Sequence, residues 1–172
     1  MTAGPGRAHG FAPVVRRDAR LLILGSFPSA ASLAAGQYYA HPRNAFWPVL
    51  GRLLGEPLAE LPYRRRLARV RAHRVAIWDV IGSCARPGSL DSDIREAEHN
   101  DLDALLRRAP RLGAVAFNGG AAARLEGYCR GRGLRTYRMP STSPAHASRS
   151  FEQKLEAWWQ LVTDGWIQHL AL

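Results

Sequence analysis

Residues 20–29 read RLLILGSFPS, and the fold is decided there. Leu21, Leu22, Ile23 and Leu24 form an apolar run with no polar alternation, closed by Gly25 and followed by Phe27-Pro28-Ser29. A short run of this kind, ending in turn residues, marks a strand covered on both faces. Three more such runs follow at wide spacing: VAIWDVIG at 75–82, AVAFNGG at 114–120 and LRTYRMP at 134–140. Between them apolar residues recur at helical spacing over Asn44 to Leu54, Leu61 to Val70 and Asn100 to Arg108, with further helical patterns over Gly120 to Tyr128 and Phe151 to Leu161. Strands separated by helices require crossover connections, and crossovers give a parallel sheet with helices on both faces. The expected fold class is therefore α/β, a three-layer sandwich with a central four-stranded parallel sheet flanked by helices.

The chain has 172 residues, 47% of them hydrophobic. That is one domain's worth of sequence with enough apolar content for a core, so disordered and fibrous classes are excluded. A single domain over 1–172 is expected, with the Gly-rich, polar stretch 1–11 as a flexible tail. No apolar run approaches the ~20 residues of a membrane-spanning helix, and MTAGPGRAHGFAP lacks the apolar segment of a secretory signal. A cytoplasmic protein is expected, with no membrane partner.

Charge points to a partner. Lys and Arg number 24 against 14 Asp and Glu, for a net charge of +10, and Lys154 is the sole lysine. The remaining cations are arginines, whose planar fork suits phosphate oxygens, although a GC-rich genome also favours arginine. A polyanion such as nucleic acid fits this balance. Cys84 and Cys129 suggest neither a disulfide framework nor a thiolate metal site, and the six histidines form no HxxxH or HExxH pair. No metal and no cofactor are expected.

In parallel sheets a ligand lies beyond the carboxyl ends of the strands, so the segments that follow the strands carry the functional information. They read Gly25-Ser26-Phe27-Pro28-Ser29, then Tyr38-Tyr39-Ala40-His41-Pro42-Arg43-Asn44-Ala45-Phe46-Trp47, Trp78-Asp79-Val80-Ile81-Gly82-Ser83-Cys84, Gly88-Ser89-Leu90-Asp91-Ser92, Phe117-Asn118-Gly119-Gly120 and Pro140-Ser141-Thr142-Ser143-Pro144-Ala145. Taken together and in order, from about Leu21 to Trp159, they resemble the uracil-DNA glycosylase superfamily, and within it the hypoxanthine-DNA (deoxyinosine) glycosylase branch. Any one alone is weak; six collinear segments are specific.

The resemblance implies a four-stranded parallel sheet, binding to double-stranded DNA with a damaged base, eversion of that base and cleavage of its N-glycosidic bond. Eversion is forced on such an enzyme, because the bond is unreachable inside the stack and the base then needs an aromatic or apolar pocket. Tyr39 matches the family's stacking aromatic, with Phe27 as a second wall; both are equally the type of residue that fills cores. Phe27 also occupies the position where the strongest uracil and mismatch enzymes of the superfamily carry Asp or Asn. A phenyl ring can neither orient water nor steady a cation, so the chemistry must come from elsewhere, and the resemblance points to Asn44 in the His-Pro-Arg-Asn segment that the hypoxanthine branch shares. Its amide can position water and offer a carbonyl oxygen to the oxocarbenium-like state. Asn44 is also well placed to cap the helix that follows.

Asp79, the only carboxylate in its strand segment, is a candidate general base or hydrogen-bond partner for a purine edge, or simply a turn residue beside Gly82-Ser83. The segment from Ser89 to Ser92 reads as a turn, with Asp91 the lesser catalytic candidate. Asn118, before Gly119-Gly120, is a base contact or a helix cap. The 140–148 segment matches the superfamily's Ser/Pro-rich second motif, which enters the minor groove. Ser141, Thr142 and Ser143 offer hydroxyls to phosphates, and Pro144 stiffens the loop. His146 stands where the family usually has Asn; histidine titrates near neutral pH and can protonate a leaving base or contact a phosphate. Arg43 and Arg149 are the cations that the motifs place against DNA, whereas the Arg64-Arg65-Arg66 run reads as a solvated helix face.

A glycosylase that also nicks DNA commonly uses an amine, and Lys154 is expected on the solvent face of a helix. The expected activity is thus monofunctional: water hydrolyses the bond of a deaminated base, hypoxanthine first and uracil second, with xanthine a further candidate, in a monomer acting at the nucleoid. The rivals are a mismatch-type uracil or thymine glycosylase, and a damaged-DNA binder that kept the fold and lost the chemistry.

Overall fold

The computed structural model describes residues 6–86 and 90–171. In chain order the elements are β1 (Ala8–His9), β2 (Leu21–Gly25), α1 (Ala30–Ala35), α2 (Phe46–Leu54), α3 (Tyr63–Ala72), β3 (Val75–Asp79), β4 (Ile81–Ala85), β5 (Arg95–His99), α4 (Leu102–Arg108), β6 (Ala114–Asn118), α5 (Glu126–Arg130), β7 (Arg135–Met139), α6 (Phe151–Trp158) and α7 (Gln160–Thr163). The central sheet has the order β3-β2-β6-β7, with every pairing parallel. This is the expected α/β sandwich.

Period-two alternation sends the strand side chains into two cores. Leu21, Ile23, Val75, Ile77, Ala114, Ala116, Tyr137 and Met139 pack with Phe46, Trp47, Leu50 and Leu53 of α2, with Val70 of α3 and with Leu155 and Trp158 of α6. Leu22, Leu24, Ala76, Val115 and Phe117 pack with Leu102 and Leu105 of α4 and with Cys129 of α5. All five residues of β2 are buried, as an unalternating run on a central strand requires. Both cysteines are free and buried.

Four expectations change. The 75–82 run is not one strand. The chain turns at Val80, whose N–H donates to the Gly25 carbonyl at 2.8 Å, and β4 leaves for a second, antiparallel sheet of order β1-β4-β5. Gly82 allows the close passage there, since a Cβ on it would lie 2.6 Å from Asn100 Oδ1. The expected flexible tail 1–11 fails over its described part, because Ala8 and His9 pair with Cys84 and Ser83, and Arg7 Nε donates to Ser83 Oγ at 3.0 Å; residues 1–5 lie outside the described residues. The helix expected from Gly120 begins as a 3-10 turn, Ala122–Leu125, before α5. The last helix breaks at Trp159 into α6 and α7.

Lys154 is also not on a solvent face. It is 5% exposed, with Nζ donating to the Ser143 carbonyl at 3.5 Å, and burial pushes its pKa down. The helical register turns it inward, under the Ser/Pro loop. Among the described residues no helix is long and apolar enough to cross a membrane, and no group of three His, Cys, Asp or Glu is placed to hold a metal.

Candidate active site

The loops that leave β2, β3, β6 and β7 meet at the carboxyl rim of the parallel sheet and enclose a cavity of about 350 Å³, within the usual range of small-ligand sites, ~300–1,000 Å³. Its lining includes Phe27, Tyr39, Asn44, Asp79, Ser141 and Ser143, with His146 and Asp91 at the wall. Residues more than 100 positions apart in sequence are therefore brought to one receptacle by the strand order.

The first loop is locked before it reaches the cavity. Ser29 caps α1, its Oγ accepting from Ser32 N at 3.2 Å, and Gly36 ends that helix in the left-handed region at φ 65°. Trp47 Nε1 then donates to the Tyr38 carbonyl at 2.9 Å, so the buried first turn of α2 holds the loop backbone. Tyr39 is one of the few non-glycine residues with positive φ, 53°, a conformation that costs roughly 1–3 kcal/mol and persists where its surroundings impose it. Its ring stacks on Phe46 with centroids 3.8 Å apart. Burial pushes its phenol well above the usual range, and its hydroxyl has no hydrogen-bond partner among the described residues; the nearby Asn118 amide opposes the rise without closing a bond.

Gly25 makes the floor possible. A Cβ there would lie 2.5 Å from Asp79 Oδ1 and 2.9 Å from the Tyr39 hydroxyl, so only hydrogen fits between them. Asp79, paired in register with Gly25 at the end of β3, is 5% exposed, and its Oδ2 is buried without a partner among the described residues. Its pKa is pushed up to about 7, first by desolvation and then by the Asp91 carboxylate, against a smaller opposing pull from Arg86. Arg86 itself turns elsewhere, donating to the Pro28 carbonyl and lying 4.9 Å from the Phe27 ring centroid. Phe27 is thus a wall packed under a guanidinium, 7% exposed.

Asn44 lies at the cavity edge just before α2. Its Oδ1 accepts from Phe46 N at 2.9 Å, so the oxygen caps the helix while Nδ2 has no protein partner among the described residues. Only the oxygen end of the amide is committed to the helix start. Asn118 commits both ends inward: Oδ1 accepts from Thr142 N and Nδ2 donates to Thr142 Oγ1, each at 2.9 Å. It does not cap the turn that follows it.

The same clamp corrects the expectation for Thr142. That residue is 1% exposed, its hydroxyl is held by Asn118, and its carbonyl accepts from Ala45 N at 3.0 Å. Its hydroxyl therefore faces the protein and not a phosphate. Thr142 ties the end of β6, the start of α2 and the Ser/Pro loop into one unit. Trp158 Nε1 adds a bond to the Pro140 carbonyl at 3.0 Å. On either side Ser141 and Ser143 line the cavity, their hydroxyls accepting from Ser143 N and Ala145 N in local turns. Pro144 is half-buried beside them.

His146 is exposed at the rim, with Nε2 3.5 Å from Ser148 Oγ. An adjoining depression shares Gly119, Gly120 and His146 with the cavity and carries Arg138 and Arg149. Arg149 and Arg43 are exposed, and neither guanidinium has an ion-pair partner among the described residues. Arg43 does not line the cavity. In the run on α3, Arg66 is occupied by the carbonyls of Leu61 and Ala59.

Two features were not legible beforehand. Asp91 reaches the wall through a hydrogen bond from Ser26 Oγ at 2.5 Å, and Leu90, 51% exposed, stands beside it. The Gly88-Ser89 part of that motif lies outside the described residues. Gly25 was readable only as a strand terminus; its proximity to Asp79 depends on β2–β3 register.

A parallel sheet with this cavity at its carboxyl rim defines an α/β protein with a small-ligand site, and the family model described as the uracil DNA glycosylase superfamily matches residues 12–163. The chain belongs to that superfamily. It is 38% identical over 154 residues to a protein of Methanosarcina acetivorans named hypoxanthine DNA glycosylase, covering 90% of this chain and 96% of the relative. A Methanosarcina barkeri protein of the same name is 36% identical over 152 residues, covering 88% and 96%. Among solved structures, an NMR structure from M. acetivorans described as a candidate uracil DNA glycosylase superposes with a TM-score of 0.80 at 36% identity, covering 92% of this chain and 99% of that one.

Proposed function

We propose that the protein is a monofunctional DNA glycosylase of base-excision repair that takes a deaminated base, hypoxanthine first and uracil second, out of double-stranded DNA and hydrolyses its N-glycosidic bond. What supports this above all is that Tyr39 and Asn44 of the first loop and the distant 141–146 segment line one cavity over a buried carboxyl group. A cavity of this size and lining suits a single flat, polar heterocycle, and an enzyme that acts on a base must remove it from the stack.

In this reading Tyr39, backed by Phe46, and Phe27 form the aromatic walls. Asn44, whose Nδ2 is unpartnered, sits beside the sugar and orients the attacking water. Asn118 acts through Thr142, holding the Ser/Pro loop in place. Ser141, Ser143 and Pro144 present the loop to the backbone of the everted nucleotide, while Arg43, Arg149 and His146 meet phosphates along the rim. The amine of Lys154 is absent from the cavity lining, which fits hydrolysis by water rather than Schiff-base chemistry. The protein acts as a single domain and a monomer at the nucleoid in the cytoplasm, without metal or cofactor.

The test is a set of duplexes carrying inosine, uracil, thymine opposite guanine, or xanthine, each scored for alkali-labile sites after incubation. Strand breaks at inosine ahead of uracil are expected. Preference for thymine opposite guanine would move the protein to the mismatch type, and duplexes that all survive alkali would end the glycosylase reading.

A further inference from the structure

The mechanism above leaves one buried group without a task. Oxocarbenium-forming hydrolysis has two needs: stabilisation of the sugar cation and acceptance of the bond electrons by the base. Asn44 addresses only the first. Asp79 lies at the floor of the same cavity, its Oδ2 buried and without a hydrogen-bond partner among the described residues. An unpartnered carboxyl oxygen at such depth is costly and calls for an explanation. Gly25, where a Cβ would lie 2.5 Å from Asp79 Oδ1 and 2.9 Å from the Tyr39 hydroxyl, is what lets both groups pack at the cavity floor.

We propose that Asp79, in its protonated form, is the general acid that delivers a proton to the leaving base. The inference rests on the glycosylase reading and adds to it the residue that activates the leaving group. The carboxyl O–H bond breaks and the proton passes to the ring nitrogen or carbonyl oxygen that faces it. The C1′–N bond breaks with its electron pair retained by the base, which departs neutral. Water adds its oxygen to C1′ and releases one proton to solvent, from which Asp79 is recharged.

The surroundings of Asp79 favour the protonated form. Asp91, on the turn that closes the wall, is the negative neighbour, and Tyr38 and Tyr39 on the first loop are neutral phenols with raised pKa values. Arg86, after β4, is the cation that opposes them among the described residues, and it is engaged with Pro28 and Phe27. From β6 comes only the neutral Asn118, and His146 stands at the rim. The resulting value of about 7 lets the carboxyl hold a proton near neutral pH and still give it up, the balance that suits an acid catalyst.

The experiment is single-turnover base release from an inosine duplex between pH 5 and pH 9, with wild type and Asp79→Asn, whose melting temperature is recorded in parallel. Wild type should lose about tenfold in rate per pH unit above its pKa. The variant should be slower by roughly 10²–10⁴ at pH 6, and its profile should be flat. Equal rates for the two proteins, or a variant that is slower but keeps the wild-type slope, would overturn the assignment. Should the variant not fold, the wild-type profile decides alone: a rate that is flat or rising from pH 6 to pH 9 also overturns it. Absence of base release by wild type at every pH would instead count against the glycosylase reading itself.

Discussion

Replacing Asp79 by Asn should stabilise the protein, and increasingly so as pH rises. The carboxyl titrates near 3.8 when exposed and up to about 7 in the fold, chiefly through desolvation. Between those values the folded chain holds a proton that the unfolded chain has released. Stability from this group is therefore full below pH 3.8 and falls until about pH 7, above which the loss is constant. Three units at about 1.4 kcal/mol each amount to about 4 kcal/mol. From pH 5 to pH 8.5 the share still to be lost is about 3 kcal/mol, which for a chain of this size corresponds to roughly 6–12 °C in Tm. Thermal and urea unfolding of both proteins at the two pH values gives the double difference, in which all other titrations cancel. A gap between variant and wild type that stays constant within about 0.5 kcal/mol would mean that Asp79 titrates alike folded and unfolded, and the account of the cavity floor would be wrong.

Other substitutions separate holding from chemistry. Asn44→Asp keeps an acceptor for Phe46 N but removes Nδ2, so melting should hold within about 1 kcal/mol while turnover falls; Asn44→Ala should lose both, with the cap contributing about 1 kcal/mol. Gly25→Ala drives a methyl against Asp79 and Tyr39, so base release should drop more than about tenfold with the fold retained, read by kinetics beside circular dichroism. Asn118→Ala strands the Thr142 N–H and hydroxyl in a buried place, about 1–3 kcal/mol each, and should lower urea stability and activity together. Arg149→Ala should weaken binding to all duplexes and reduce the slope of log affinity against log salt by about one.

The parallel sheet was legible because each of its strands leaves a sequence trace: apolar runs bounded by turn residues, too short for helices. The second sheet leaves none. β5 reads REAEH with every residue exposed, so neither alternation nor burial marks it, and it exists because β4 offers an edge. The break at Val80 was hidden for the opposite reason, since VAIWDVIG is apolar on both sides of Asp79 and the turn is set by bonds to Gly25 and Ser26. For the site, the rule that ligands gather beyond strand ends pointed to the loops, and the family resemblance singled out Tyr39, Asn44 and the 140s segment within them. It did not say which way a side chain faces. Thr142 and Ser143 are neighbours of similar chemistry, yet one is the clamp and the other the lining, because consecutive residues in an extended loop point oppositely. Lys154 shows the same limit on a helix, where polarity suggested solvent and register turned it inward.

The most direct test places a base in the cavity. A duplex with 2′-fluoro-2′-deoxyinosine, whose fluorine disfavours the sugar cation and keeps the base attached, can be crystallised with the wild-type protein. The account requires the hypoxanthine ring to lie outside the helix against Tyr39, with Asp79 in hydrogen-bond reach and Asn44 near C1′. A base left stacked in the duplex, or seated away from these three residues, would contradict it.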